Sequence, residues 1–425
     1  MRTFTLIWFG QLVSAIGSLM TFFALTLWAW DTTGSAMALA LVGLFFQLPQ
    51  IPATLFAGVI VDRFNRKTLM LIGDAVTAVA TLIVGGLYVI QQLDIWHLYW
   101  VAALAGGFSQ IQILAYQASV SLMVPKQQYT RVSSMASIVH YGSNIVGPAL
   151  AGVLYPIIEL SGIVAIDLIT FAIAFITLSV ASIPQPDVKT APQSEDWKTQ
   201  LTFGFCYVWQ QPSLKALLLF TVLFTFAHDL GAALQKPMLL ARTDGDPIVV
   251  ASVSAAAGIG GVAGAVLLSL WGGPKRRIYG LLGGYIGAGI SKMTFGLGQL
   301  PAIWVSAQVC SSLNFPLLGS CRSALWMDNI SSESQGRVFA ANSLVTQIAS
   351  AIAVLLAGPL ADRVLEPAMA SGNWLSPIFG SGPGAGMAIL YFTCSLALLL
   401  IGISGFWVPQ LRAIEQSPVH KLPLQ

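Results

Sequence analysis

Three charged side chains stand inside long apolar runs, where charge is costly. Asp229 lies near the middle of "LLLFTVLFTFAHDLGAALQKPMLL", and Lys236 follows two helical turns on, on the same face. Lys292 sits at a similar depth in "YGLLGGYIGAGISKMTFGLG". A charge at mid-bilayer costs at least ~2.5–3.5 kcal/mol, so these three are functional candidates. One carboxylate and two amines meeting over a cavity could bind a polar substrate group or pass a proton. Burial favours the neutral carboxyl and a nearby amine favours the ionised one, which is the balance proton coupling needs. The other reading is a fixed Asp–Lys pair that holds helices together. His228 adjoins Asp229 in sequence, so on a helix it is expected to point elsewhere and to be packed or hydrogen-bonded rather than titrating in transport.

Uncharged polar residues form two further clusters. Gln110, Gln112 and Gln117 share the fourth apolar run, and His140, Tyr141 and Asn144 share the fifth. Each cluster either lines a cavity or hydrogen-bonds between helices, at about 1 kcal/mol or less per bond. Phe224 stands among the aromatics of the seventh run, where it either stacks on a substrate or faces lipid. Asp31, Asp74 and Asp167 fall near the expected ends of runs, which suggests helix-terminal roles.

The elements that must carry these residues are membrane helices. The chain has 425 residues, 56% hydrophobic and 9% charged, against roughly a quarter charged in soluble domains. About twelve apolar runs reach the ~20 residues that a span needs. They fall near 4–30, 38–61, 68–91, 96–124, 132–158, 163–184, 214–240, 248–272, 277–297, 301–327, 337–362 and 385–408. The runs are continuous rather than alternating, which excludes a β-barrel. The first is too long for a signal-peptide core of roughly 7–15 residues and is expected to stay as a span.

Basic residues collect in the connections after even-numbered runs: Arg63, Arg66, Lys67, Lys126, Arg131, Lys189, Lys198, Lys275, Arg276, Arg277 and Arg337. The opposite connections hold Arg242 and Arg363. This bias places both termini in the cytoplasm. The polar, proline-rich stretch "PQPDVKTAPQSEDWKTQ" falls near the middle. The expected organisation is a six-helix half over 1–184, a cytoplasmic linker over 185–213, a second half over 214–410 and a cytoplasmic tail over 411–425. Weak internal echoes support two related halves. "RVSSMASIV" from Arg131 resembles "RVFAANSLV" from Arg337, and "GPALAGVLYP" from Gly147 resembles "GPLADRVLEP" from Gly358.

Several function classes are excluded. A net charge of +3 does not suggest a nucleic-acid partner. The four cysteines show no metal or redox spacing. There is no GxxxxGK[ST] loop for ATP, and no HExxH or GxSxG of an enzyme. No metal or cofactor is expected.

"GVIVDRFNRK" carries Gly58, Asp62, Arg63, Arg66 and Lys67 in the pattern Gly, three residues, Asp-Arg, two residues, two bases. This resembles the loop between spans two and three of the major facilitator superfamily. Asn65 stands where glycine is usual, and Asn tolerates the left-handed backbone of a tight turn. "FGQLVSAIGS", "TTGSA", "YQASVSLMVP" and "IVGPALAG" are similar to the branch that exports drugs and siderophores, which includes macrolide efflux and enterobactin export proteins. The resemblance implies two pseudo-symmetric six-helix halves in a bacterial inner membrane. It further implies proton-coupled efflux of an amphipathic small molecule by a monomer, with no cofactor beyond the proton gradient. An importer or a lysophospholipid flippase is the alternative on the same fold; a membrane enzyme or receptor would need a catalytic set or soluble domain that is absent.

In that family the loop between spans two and three resembles a cytoplasmic latch, and Gly147, Pro148 and Gly152 resemble an exporter's antiporter motif, a close hinge between spans five and eight. Asp62 sits at the wrong end of span two for the helix dipole and Arg66 and Lys67 at the wrong end of span three, a cost of ~0.3–1 kcal/mol. For Asp62 and Arg63 the latch compensates, with the start of span eleven near Gln335–Arg337 as partner. For Arg66 and Lys67, topology and anionic lipid suffice. Gly147 and Gly152 also fit ordinary close packing of membrane helices. The span-four arginine of many proton-coupled exporters is absent, and Gln110, Gln112 and Gln117 stand in that stretch.

Overall fold

Continuous apolar sequence in lipid leaves the backbone no partner but itself, so it closes into helices. The computed structural model describes residues 2–124, 135, 139, 142–183, 197–330, 335–370 and 374–415. Among them there is no strand. The framework divides into two compact units, Met1–Ser194 with Gly245–Ala255, and Glu195–Asp244 with Ala256–Gln425.

The first unit holds α1 (Arg2–Thr33), α2 (Ala36–Gln47), α3 (Gln50–Arg63), α4 (Arg66–Val89), α5 (Ile95–Met123) and α6 (Ser143–Val180). The expected second span is a helix pair, because Pro49 and Pro52 break the hydrogen-bond ladder after Gln47. At 38 residues, α6 would extend about 57 Å, nearly twice the ~30 Å bilayer core. It contains a break at Glu159 (φ 55°, ψ −169°), which separates the expected fifth and sixth spans. α6 packs along α1 and α4, and α5 packs on α2, α3 and α4.

The second unit holds α7 (Trp197–Gln210), α8 (Pro212–Arg242), most of α9 (Pro247–Trp271), α10 (Arg277–Leu297), α11 (Pro301–Asp328), α12 (Gln335–Pro359), short α13 (Glu366–Ala370) and α14 (Ser376–Phe379), α15 (Ala385–Gly405) and α16 (Pro409–Ala413). Residues 197–210, expected within the linker, are the helix α7. It packs on α12, with Arg337 stacked 4.2 Å above the Phe203 ring. α10 runs against both α11 and α15, and α8 against α12 and α15.

Nine helices among the described residues are long and apolar enough to cross a membrane. One of them is α6, which the Glu159 break makes two crossings. The two long helices outside the nine are α10 and α11, whose glycine, serine and other polar residues lower their hydropathy. Together these account for the twelve expected spans.

Two details of the α3–α4 loop differ from expectation. Asn65 is not left-handed (φ −62°, ψ 119°); it is the N-cap of α4, and its side chain accepts from the Thr68 amide at 3.2 Å. Lys67 does more than mark topology. Its Nζ donates to the carbonyls of Ser179 (2.6 Å) and Ala181 (2.8 Å), at the C-terminus of α6. Those carbonyls have no partner within their own helix, and the negative end of the dipole favours a cation there. Thus Lys67, at the wrong end of its own helix, is at the right end of another. Replacing Lys67 with Ala should cost about 1 kcal/mol. The check is a lower unfolding temperature in detergent for Lys67→Ala than for Lys67→Arg.

Candidate functional site

The second unit encloses the cavity that the intramembrane charges pointed toward. About 200 Å³ is walled by Phe224, Thr225, His228 and Asp229 of α8, Leu281 and Tyr285 of α10, and Phe315, Leu318, Gly319 and Arg322 of α11. Phe224 is buried and stacks on Tyr285 with ring centroids 4.0 Å apart. One turn on, His228 lies 5.8 Å from Phe224 and edge-on to Phe315 at 5.1 Å. The site is therefore an aromatic box with three ionisable groups on its wall.

His228 corrects the expectation that it points away. Its Nδ1 bonds to Asp229 Oδ1 at 2.8 Å. Neighbouring side chains on a helix diverge by about 100°, but the imidazole folds back to satisfy a carboxylate that lipid would leave without a partner. Ser350 of α12 also interacts with that carboxylate. The expected meeting of Asp229 with both lysines does not form. Among the described residues the ion pairs within 4 Å are His228–Asp229 and Arg277–Asp328, so neither Lys236 nor Lys292 closes a salt bridge with Asp229. Lys292 is buried and near enough to Asp229 to interact electrostatically. Its Nζ donates to the Tyr391 hydroxyl at 3.2 Å and lies over the same ring. Lys236 is half-buried two turns along α8.

Sequence reasoning missed Arg322. It lies within the tenth apolar run, whose serines and asparagine hid a single cation; the signal was a basic residue inside a run rather than in a connection.

In the first unit the glutamines resolve unequally. Gln112 bonds to Asp74 and lies 3.5 Å from Gln11, so it joins helices α1, α4 and α5. Gln110 is half-buried on the same helix, and the Gln117 side chain lies outside the described set. His140 and Tyr141 also fall outside the described residues, while Asn144 is exposed. Asp74 and Asp167 correct the expected helix-terminal roles. Both are buried inside helices, Asp74 in α4 and Asp167 eight residues beyond the α6 break.

Of the loop motif, Gly58, Asp62 and Arg63 are helical in α3 and their side chains are outside the description, as are those of Gln335 and Gly336. Arg66 and Lys67 open α4. In the second unit the base that opens α10 has acids supplied from elsewhere in the chain. Arg277 pairs with Asp328, and its amide donates to Glu415 at 2.6 Å. Of the "GPALAG" residues, Gly147 backs onto Leu19 and Ile16 of α1. A Cβ on Gly152 would meet Ala251 Cβ at 2.5 Å and the Pro247 carbonyl at 3.3 Å, at the start of α9. Pro148, also buried, lies inside α6. Among the described residues no cluster of His, Cys, Asp or Glu could hold a metal.

Helices of this number and arrangement, with charges gathered on an internal cavity, define a multi-pass membrane transporter rather than an enzyme. The chain belongs to the Major Facilitator Superfamily, whose family model matches residues 7–354. It is 28% identical to macrolide efflux protein A of Streptococcus pyogenes over 363 residues, 85% of this chain and 90% of that one. It is 24% identical to the multidrug efflux pump Tap of Mycolicibacterium fortuitum over 423 residues, 96% of each chain. Its fold is that of a crystallised POT family transporter in complex with a thioalcohol-conjugated peptide (TM-score 0.72, 12% identity, 96% of each chain). These two relatives are bacterial efflux proteins by name, and the chain is a multi-pass transporter of the bacterial type.

Gly319 offers a clean probe of the cavity, since a Cβ there would meet nothing within 4 Å. Gly319→Leu should fill the space without lowering the unfolding temperature, and should cut transport at least about ten-fold, a barrier change near 1.4 kcal/mol. Undiminished transport by a stable Gly319→Leu protein would remove the cavity from the substrate path.

Proposed function

We propose that this protein exports amphipathic small molecules, macrolides among them, in exchange for protons across a bacterial inner membrane. The observation that carries the reading is the box of Phe224, Tyr285 and Phe315 with His228, Asp229 and Arg322 on its wall. Stacked rings suit the apolar face of such a molecule, and the charged wall suits its amine or hydroxyl groups. At about 200 Å³ the box is smaller than the ~300–1,000 Å³ of drug-sized sites. It takes one fragment of a large substrate, which fits relatives named for macrolides and for multiple drugs.

Proton exchange is supported by the absence of an ATP-binding loop and by buried carboxylates in spans. Alternating access by two six-helix halves follows from the family. In this reading the basic connections keep both termini in the cytoplasm, the protein works as a monomer, and Asp62 and Arg63 act as the latch.

The test is uptake of a radiolabelled macrolide panel into inverted proteoliposomes with an imposed pH gradient, wild type beside Asp229→Asn. Wild type should follow the gradient, and the variant should lose transport about ten-fold. Transport that ignores the gradient would refute proton exchange. Equal transport by the variant would take Asp229 out of the mechanism.

A further inference from the structure

The first unit contains two buried carboxylates that the cavity of the second does not use. Asp74 is 3% exposed and Asp167 1% exposed. Among the described residues, each is met by neutral groups. Gln112 Nε2 bonds to Asp74 Oδ1, and Gln11 Nε2 lies 3.5 Å from Oδ2. Ser18 Oγ is 3.4 Å from Asp167 Oδ1, and Thr21 and Thr81 face the same carboxyl. The Thr21 hydroxyl is buried and has no hydrogen bond of its own. It is a polar group aimed at the carboxyl with bonding capacity left over.

Among the described residues no cation stands against either acid. α1 contributes Arg2 and Asp31 near its two ends, and α4 contributes Arg66, Lys67 and Tyr88. Lys67 is committed to the α6 carbonyls. α5 contributes His97 and Tyr99 at its start and Tyr116, one turn past Gln112, packed beside Met70. α6 contributes Tyr155 and Glu159 at its break, where Glu159 meets Tyr88. An ionised carboxylate at this depth without a counter-charge is expensive, whereas a protonated one needs only the amide and hydroxyl partners present.

The two acids also share a track. Gln11 and Ser18 are seven residues apart on α1, on one face and about 10 Å apart along the axis. Ser14 and Thr21, both buried, continue that face. α1 thus presents a polar stripe inside an apolar unit, with a carboxyl at two of its rungs. Gly17 is part of the design, because a Cβ there would meet Asp167 Oδ1 at 2.9 Å.

We propose that Asp74 and Asp167 are proton-binding sites of the first unit, joined by the α1 stripe, and that they carry the proton exchanged for substrate. The inference rests on the proton-exchange reading above for what the proton does, but not for where it binds.

The experiment is pH-step infrared difference spectroscopy on the purified full chain, following the C=O stretch of protonated carboxyl groups. Asp74→Asn and Asp167→Asn should each remove one carboxyl band. Gln112→Leu and Thr21→Val, which keep both acids, should shift a band instead, which guards against loss through misfolding. In proteoliposomes each Asn variant should lose gradient-driven macrolide export about ten-fold while keeping gradient-free exchange. Unchanged bands in both Asn variants would overturn the sites. Full gradient-driven export by the double variant would overturn their coupling role even if wild type follows the gradient. Wild-type export that ignores the gradient would instead sink proton exchange and the coupling role together, leaving the bands to decide where protons bind.

Discussion

No water reaches the hydrocarbon interior of a bilayer, so a polar group buried by a membrane helix must find its partner on the protein. Nearly every informative contact in this molecule follows from that constraint. The carbonyls at the end of α6 take the Lys67 ammonium. Arg242, one of two bases on the wrong side of the charge pattern, donates to the carbonyls of Gly298 and Phe379 at 2.6 Å each. Glu366 accepts from the amides of Gly384 (3.2 Å) and Met387 (2.9 Å), at the start of α15. Here a carboxylate meets the positive end of a dipole and orphan donors at once. Charges that look misplaced along the chain are well placed against the helix they touch.

The same constraint explains why the least apolar helices surround the cavity. α10 and α11 miss the composition of an ordinary span because they carry polar residues, of which Lys292, Gln308, Ser311 and Ser312 are buried against protein. Such helices are stable only where neighbours shield them, and α10 has α11 on one side and α15 on the other. The aromatic pair Phe224–Tyr285 seals one wall. The deficit in hydropathy thus falls on two of the three helices that line the cavity.

Much of the architecture was legible because apolar run length and basic asymmetry are one-dimensional signals. The number of spans followed, including the break that divides α6, whereas the split of the second span and the helix α7 did not. Partners are a different matter. That His228 turns back to Asp229, or that Lys67 caps α6 from 112 residues away, depends on which helices become neighbours. Asp74 and Asp167 were misplaced for a related reason. Distance from a run's end is a poor guide to depth where the helix starts earlier than the apolar pattern: α4 starts at Arg66 rather than 68, and the second arm of α6 follows Glu159 rather than starting at 163. Arg322 was missed because a lone cation in a serine-rich run resembles a shortened span. Asn65 shows the reverse error, a correct position with the wrong backbone, since an N-cap and a left-handed turn both accept Asn.

The two units handle buried charge in different ways. In the second, Asp229 has an imidazole as hydrogen-bond partner and the Lys292 ammonium within electrostatic range, so a cation lies near enough to offset its charge. In the first, Asp74 and Asp167 have amides and hydroxyls, which can solvate either protonation state but neutralise neither. A balanced carboxylate resists losing its charge, because protonation would strand its cationic partner. A carboxylate among neutral partners strands nothing when it takes a proton. Groups of the first kind suit holding a polar substrate, and groups of the second suit exchanging protons with few other changes. In the proposed exchange a chain that lacks the usual span-four arginine places its proton sites elsewhere, and neutral cages around single acids would supply them without adding another costly cation to the membrane.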